Sequence, residues 1–396
     1  MRILTIGNLY PPYHLGGYEL VWQAGVRALR AAGHEVRVVT TEERLGKAPG
    51  EPEDPDVHRE LRWYWRDHEF PRLSIGSRLA LERHNRATLR RHLRELRPDV
   101  VSWWAMGGMS LSLIEQVRRA GLPAVGCVSD DWMDYGPDVD QWMALWRRVR
   151  GRVPGGPARL AGALTGVPVS VDLAGAALWI FCSEDTRQTA LRAQPALRRS
   201  EVAHLGVAAD FAPVAPRAWD GRVLYAGRID ERKGLGTLID AITDSPELTL
   251  RVVGDGEGRA AERLRERARA AGRRVVFERG VARADLARIY GEADVVAFPV
   301  AWPEPWGLVP LEAMAVGRPV VATGLGGSGE YLEHERNALL FTAGRASELQ
   351  AALRRLAADG PLRDRLVAAG FETADRHSEA AWSAAILRGH EALAAH

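Results

Sequence analysis

Two basic and two acidic side chains stand where they could handle a polar, anionic ligand. Arg228 and Lys233 lie in Gly227-Arg228-Ile229-Asp230-Glu231-Arg232-Lys233-Gly234, directly after a short apolar run that reads as a strand. A planar guanidinium fork and a compact ammonium on one loop suit a diphosphate; the alternative is a solvated charged turn. Glu304 and Glu312 flank Pro305-Trp306-Gly307-Leu308-Val309-Pro310-Leu311. Proline is tolerated in the first turn of a helix, so a helix should begin near Gly307, with Glu304 in the loop before it and Glu312 early within it. Free N–H groups at that helix start form an anion site, and a carboxylate nearby can accept from sugar hydroxyls. Both glutamates could equally be simple helix-start acids. Gly16-Gly17 lies in the long loop after the first strand, where glycine lets backbone N–H groups approach a phosphate. Gly324-Leu325-Gly326-Gly327-Ser328-Gly329-Glu330 follows another strand end and needs a flexible backbone there.

These residues need a scaffold, and the hydrophobic pattern supplies one. Strand-like runs over 2–6, 35–40, 99–103, 123–128, 178–182 and 202–204 alternate with helical runs over 18–32, 79–96 and 111–120. A Trp-rich and Gly/Pro-rich region before 178 reads as irregular. After the proline-containing linker Phe211-Ala212-Pro213-Val214-Ala215-Pro216, a second series has strands at 223–225, 250–253, 275–277, 295–298 and 319–322. Helices at 236–242, 260–271, 284–290 and 309–316 separate them. This rhythm predicts α/β architecture: two tandem Rossmann-like, doubly wound domains with a ligand cleft between them. The expected boundaries are 1–208 for the first domain and 209–378 for the second, with a last helix at about 379–396 packing back on the first.

Composition narrows the function classes. The chain has 396 residues, 46% hydrophobic and 26% charged, which is a packed globular protein of about two domains. A net charge of +2 gives no global field to gather nucleic acid. No apolar run is long enough to span a bilayer, and the N-terminus enters a strand without signal-peptide architecture, so the expectation is cytoplasmic. Cys127 and Cys182 read as buried thiols, and no metal is expected. Of 53 basic residues only Lys47 and Lys233 are lysine, which marks Lys233 for chemistry that arginine cannot do. Most of the 13 tryptophans should line core or cleft.

Three features are weaker. Gly254-Asp255-Gly256-Glu257-Gly258 lacks the third glycine of a dinucleotide fingerprint, because position 259 is Arg259. Asp138-Val139-Asp140 has no third metal ligand in view. The Arg-rich helix near 78–97 carries Leu89, Leu93 and Leu96 at helical spacing. It reads as a surface helix packed on the sheet, or as a weak peripheral contact with anionic lipid.

At these residues the sequence resembles glycosyltransferase family 4, of actinobacterial type. The matching segments are Pro11-Pro12 with Gly16-Gly17-Tyr18-Glu19, Gly227-Arg228 with Lys233-Gly234, and Val253-Gly254-Asp255-Gly256. The run from Glu304 to Ala315 and Gly317-Arg318-Pro319-Val320-Val321-Ala322 complete the match. The resemblance implies a GT-B fold and retaining transfer from a nucleotide-diphospho-sugar, UDP-linked first and GDP-linked next, to a hydroxyl of a small molecule or glycan. No cofactor or metal is implied. It gives Arg228 and Lys233 to the diphosphate, Glu312 to the ribose and Glu304 to the transferred sugar. Backbone at Gly307, Leu308 and Val309 would meet phosphate or sugar, Gly16 and Gly17 the diphosphate, and backbone near Val281 the base.

One position departs from the family pattern. Ser129 stands where many relatives carry a histidine, in Val128-Ser129-Asp130-Asp131-Trp132. Asp130 therefore becomes the candidate for orienting the acceptor hydroxyl or taking its proton, with simple turn capping as the alternative. Asp130, Asp131, Trp132 and Asp134 form the expected acceptor set, and the acids from 130 to 140 suit a cationic amino-cyclitol or amino sugar, or are a solvated loop. An acceptor from the cell envelope or a glycolipid is the alternative within this reading. A sugar-nucleotide 2-epimerase, which needs no acceptor, is the alternative of another class.

Overall fold

The structure is a computed structural model that describes residues 1–46, 53–66, 69–152, 156–256 and 258–394. Lys47 and Glu257 lie outside the described residues. The chain splits into two compact units: Met1–Ala203 with Ser383–His396, and His204–Trp382.

The first unit runs β1 (Arg2–Ile6), α1 (Gly17–Ala31), β2 (Glu35–Thr41), β3 (Val57–Leu61), α2 (Ile75–Leu96), β4 (Val100–Trp103), α3 (Ser112–Arg119) and β5 (Ala124–Val128). It continues through α4 (Trp132–Val139), α5 (Gln141–Arg152), α6 (Gly156–Thr165), β6 (Leu178–Phe181), α7 (Glu184–Ala193) and β7 (Ser200–Val202). Its seven strands are ordered β3-β2-β1-β4-β5-β6-β7, every pair parallel. Covered on both faces, the central strands are apolar without alternation: each residue of Leu178–Phe181 is buried. Chain order reverses direction between β1 and β4, which makes the crevice beyond their C-terminal ends the topological switch point.

The second unit runs β8 (Arg222–Ala226), a 3₁₀ turn (Glu231–Lys233), α8 (Leu235–Thr243), β9 (Thr249–Val253), α9 (Gly258–Ala268) and β10 (Val275–Glu278). Then come α10 (Arg283–Glu292), β11 (Val295–Phe298), α11 (Leu308–Ala315), β12 (Val320–Ala322), β13 (Leu339–Leu340), α12 (Ala346–Ala358), α13 (Gly360–Arg376) and the start of α14 (Glu379–Ala394). The parallel order β10-β9-β8-β11-β12-β13 reverses between β8 and β11, the switch point of this unit.

Several sequence expectations need correction. The region before β6 is not irregular: it holds α4, α5 and α6, and β3 precedes them at the sheet edge. Asp140 is buried and accepts N–H bonds from Leu111, Trp142 and Met143 at 2.8–3.0 Å, capping the start of α5. Asp138 pairs with Arg147 instead. The second compact unit begins at His204, and residues 205 and 207 are bonded within it. The buried Trp306 indole donates to the Leu205 carbonyl at 2.9 Å, and Val207 exchanges backbone bonds with His377 and Glu379. In α2, Leu81, Leu89, His92 and Leu96 are buried, Arg90 and Arg94 are exposed, and Arg91 pairs with Glu60. The described part of α14 beyond Ser383 belongs to the first unit, where His390 Nε2 lies 2.9 Å from Ser102 Oγ.

Candidate functional site

In the second unit, four loops leave the C-terminal ends of β8, β9, β11 and β12, and glycines let their backbones meet. Gly234 has φ +71°, and a Cβ there would sit 1.7 Å from the Pro299 carbonyl oxygen. That contact presses the turn after β8 onto the loop after β11. Ala301 N–H donates to the Arg232 carbonyl at 2.8 Å across the same contact. Gly326 N-caps the turn after β12 with φ +66°, where a Cβ would meet the Glu304 backbone nitrogen at 2.6 Å. Gly327 N–H donates to the Glu304 carbonyl at 2.8 Å. Glu304 is therefore held by its own backbone on a fixed shelf.

Onto that shelf comes Lys233. Its Nζ donates to both carboxylate oxygens of Glu304, at 2.8 and 2.7 Å. The Trp302 indole N–H adds a bond to Glu304 Oε2 at 2.9 Å. The Trp302 ring lies below two cations, Arg232 at 4.9 Å and Lys233 at 5.7 Å from its centroid. Lys233 follows β8 and Glu304 follows β11, so the pair sits at the switch point, with side-chain exposures of only 18% and 12%. Arg228, five positions earlier, is exposed, and its carbonyl accepts from the Tyr225 hydroxyl at 2.6 Å.

The helix starts where the sequence placed it: α11 begins at Leu308, with Gly307 at φ +86° as its N-cap and Pro310 in the first turn. Leu308 and Val309 are half-buried at its N-terminus. Glu312 is buried in that helix and accepts from the Tyr290 hydroxyl at 2.7 Å. Burial pushes its carboxyl up, against the opposing pull of Tyr290 and Arg283. Val281 is half-buried in the turn before α10.

In the first unit, Gly16 and Gly17 open α1, and the Gly16 N–H donates to Glu19 at 3.2 Å. A Cβ at either glycine would meet nothing within 4 Å. The protein itself does not demand glycine there, which leaves open space over the loop. After β5, Asp130 is half-buried and accepts from the Tyr135 hydroxyl at 3.0 Å and from Trp132 N–H at 3.3 Å. Burial, helped by the neighbouring Asp131 charge, pushes its carboxyl up to about 6 against those two hydrogen bonds. Asp131 is also raised, by burial and then by Asp185 and Asp134. Asp134 is exposed in the first turn of α4. Trp132 is a correction: its ring is fully buried and packs edge-on to Trp179 at 5.6 Å, so it is core and not an acceptor contact.

One group of potential metal ligands comes together among the described residues: His58 and Glu60 of β3 with His92 of α2. Two guanidiniums attend it. Arg91 pairs with Glu60, and Arg37 Nη1 lies 3.4 Å from His92 Nδ1. That arrangement is a hydrogen-bonded cluster in a positive surrounding, which disfavours a cation.

Residues 16–153 match the family model for a glycosyl transferase 4-like domain, and residues 211–373 match that for glycosyl transferases group 1. The chain belongs to glycosyltransferase family 4. Among curated relatives of this family 4 chain, a phosphatidyl-myo-inositol mannosyltransferase of Mycobacterium leprae is 36% identical over 177 residues, 43% of this chain and 46% of that protein. A D-inositol 3-phosphate glycosyltransferase of Jonesia denitrificans is 34% identical over 174 residues, 40% of this chain and 38% of that protein. The chain thus spans less than half the length of these relatives. Sucrose-phosphate synthase of Thermosynechococcus elongatus superposes with TM-score 0.75 at 21% identity, over 100% of this chain and 99% of that one. Anabaena HepE in complex with UDP-glucose gives 0.72 at 20%, over 99% and 100%. These likenesses give the fold, GT-B, with two Rossmann-like α/β domains. Among the described residues, no helix is long and apolar enough to cross a membrane.

Proposed function

We propose that this chain transfers a sugar from a nucleotide-diphospho-sugar to a hydroxyl of a polyol acceptor, with retention of anomeric configuration and without a metal ion. The observation that carries the reading is the Lys233–Glu304 pair at the switch point of the second unit, beside the exposed Arg228. In this reading Arg228 and Lys233 bind the donor diphosphate, and Lys233 leaves Glu304 when it does so. Glu304, freed, accepts from hydroxyls of the transferred sugar, while the buried Glu312 holds the ribose. The N–H groups opening α11 face phosphate or sugar, Gly16 and Gly17 approach the diphosphate, and backbone near Val281 meets the base. As the bond from the anomeric carbon to the phosphate oxygen breaks, the electron pair leaves with the diphosphate. Fixed cations and helix N–H groups stabilise that growing charge without reorganisation. The acceptor oxygen bonds the same face of the anomeric carbon, and its proton passes to the departing phosphate or to Asp130.

UDP is the favoured nucleotide, because HepE, of the same fold, binds UDP and UDP-glucose. The names of the curated relatives favour an inositol-containing or cell-envelope acceptor. An amino-cyclitol is the second reading, favoured by Asp130, Asp131 and Asp134 around one helix start. The test is a panel of UDP- and GDP-sugars with inositol, amino-cyclitol and glycan acceptors, followed by nucleotide release and product NMR. Acceptor-dependent release with an unchanged anomeric configuration is expected. Inversion contradicts retention, and interconversion of the donor without acceptor points to an epimerase.

A further inference from the structure

The loop after β4 borders the switch point of the first unit, and it contains two adjacent buried glycines, Gly107 and Gly108. Three aromatic side chains from two other segments lie directly on them. A Cβ on Gly107 would fall 2.2 Å from the Tyr135 hydroxyl and 2.9 Å from its ring carbon Cζ. A Cβ on Gly108, which also has φ +74°, would fall 2.7 Å from Trp63 Nε1 and 2.8 Å from Phe70 Cε1. Any side chain at these positions would push the rings away, so the bare backbone sets their position. The Trp63 indole N–H donates to the Gly107 carbonyl at 2.9 Å, and its ring stacks on Trp65 with centroids 4.7 Å apart. Trp63 is thus fixed, whereas Phe70 and Tyr135 remain 38% and 37% exposed.

What distinguishes this patch from an ordinary greasy spot is its polar edge. The Tyr135 hydroxyl donates to Asp130 Oδ2 at 3.0 Å, so an aromatic face and a carboxylate adjoin within one hydrogen bond. A lipid chain would use the rings and offer the carboxylate no donor beyond those it already has from Tyr135 and Trp132. A pyranose or cyclitol ring uses both: its C–H face lies on an aromatic ring, and a hydroxyl at its rim donates to the carboxylate. The location agrees, since ligands of open α/β sheets bind beyond the strand ends at the switch point.

We infer that Phe70 and Tyr135, seated on Gly107 and Gly108 and backed by Trp63, form the platform on which the ring of a neutral polyol acceptor stacks, with its reacting hydroxyl directed to Asp130. This rests on the transferase reading for its meaning, but the platform is testable by itself. It adds Phe70, Tyr135 and Trp63 to an acceptor site that the sequence had located only through Asp130 and its neighbours.

The experiment is saturation-transfer NMR on the whole protein with myo-inositol and methyl α-D-glucopyranoside as probes, and a parallel calorimetric titration of UDP. Phe70→Ala and Tyr135→Ala should each weaken probe binding about fivefold, with the largest loss at ring C–H protons. Tyr135→Phe keeps the aromatic face and should keep most of the binding. UDP affinity should be the same in all three variants. Both rings are at the surface, so melting temperatures near that of the parent are expected and give the folding control. Equal probe binding in parent and alanine variants, or no probe binding in the parent, would overturn the platform. If the parent binds the probes but not UDP, the donor reading fails while the platform stands.

Discussion

Replacing Glu304 with Gln should separate two roles that the Lys233–Glu304 pair combines. In the structure the ammonium spends its charge on both oxygens of one carboxylate, at 2.8 and 2.7 Å, with little solvent access. A diphosphate that takes Lys233 must first displace that carboxylate. A hydrogen bond to a charged group is worth about 1.5–3 kcal/mol net, and part of it survives in the neutral amide. Removing about 1–2 kcal/mol of competition should tighten UDP, which has no sugar for Glu304 to hold, by about 5- to 30-fold. The same change should slow turnover of the UDP-sugar, because the amide accepts sugar hydroxyls less strongly than the carboxylate. Lys233→Ala should do the reverse to UDP and weaken it by about 10- to 100-fold. Trp302 reports on the site directly, since its indole donates to Glu304 and its ring lies 5.7 Å from Lys233 Nζ. Titrating UDP while following tryptophan fluorescence, with calorimetry for the constants, gives both numbers. UDP weakened equally by Glu304→Gln and Lys233→Ala would refute the competition argument, because the pair itself, and not the lysine, would then be what UDP needs.

The other predictions concern acid–base behaviour, backbone and metal. Asp130, held up to about 6 by burial, should give the acidic limb of the kcat/KM profile a midpoint near 6. Asp130→Asn should remove that limb, and a limb that stays in place sinks the assignment. The sign for stability runs with burial of charge. Asp130 costs nothing while protonated in both states, and it opposes folding increasingly as pH rises from the ordinary carboxylate range to about 6. Asp130→Asn should therefore melt no lower than the parent at pH 7, and a large drop in Tm would assign Asp130 to structure. Gly234→Ala forces φ +71° on a residue with a Cβ 1.7 Å from the Pro299 oxygen, so a loss above about 1–2 kcal/mol by denaturant melts is expected, together with displaced Lys233 and lost UDP binding. Wild-type stability would show that the turn relaxes freely. Activity should survive EDTA, and loss restored by manganese would contradict diphosphate binding by protein cations alone.

The second unit was the more legible in the sequence because its signals are local. Pro310 and Gly307 announced the start of α11, and the Arg228–Lys233 loop after β8 could be read from one strand and its turn. The pairing of Lys233 with Glu304 could not, since it depends on which strands are neighbours, and β8 lies beside β11 only through a crossover. The first unit hid more. Helices α4 to α6 are punctuated by Gly136, Pro137 and Gly151, which read as breaks, yet Asp140 caps α5 and the buried Trp142 and Met143 anchor it. Trp132, counted in the expected acceptor set with Asp130, Asp131 and Asp134, points into the core, as the first turn of a helix on a sheet often must. Phe70 and Tyr135 gave no periodic signal of their own. Gly107-Gly108 after β4 was the available clue, but its meaning rests on the rings of Trp63, Phe70 and Tyr135 brought from elsewhere in the chain.

The claim on which the rest depends is that a donor diphosphate is held by Arg228 and Lys233 without a metal ion. Phosphorus-31 NMR of UDP titrated with the protein in EDTA tests it most directly, because both phosphate resonances sense a cation at bonding distance. The two resonances should shift and saturate with the parent protein, and stay at their free positions with a folded Arg228→Ala/Lys233→Ala double variant. Saturating shifts that are the same in parent and double variant, or that appear in the parent only after manganese is added, would contradict it.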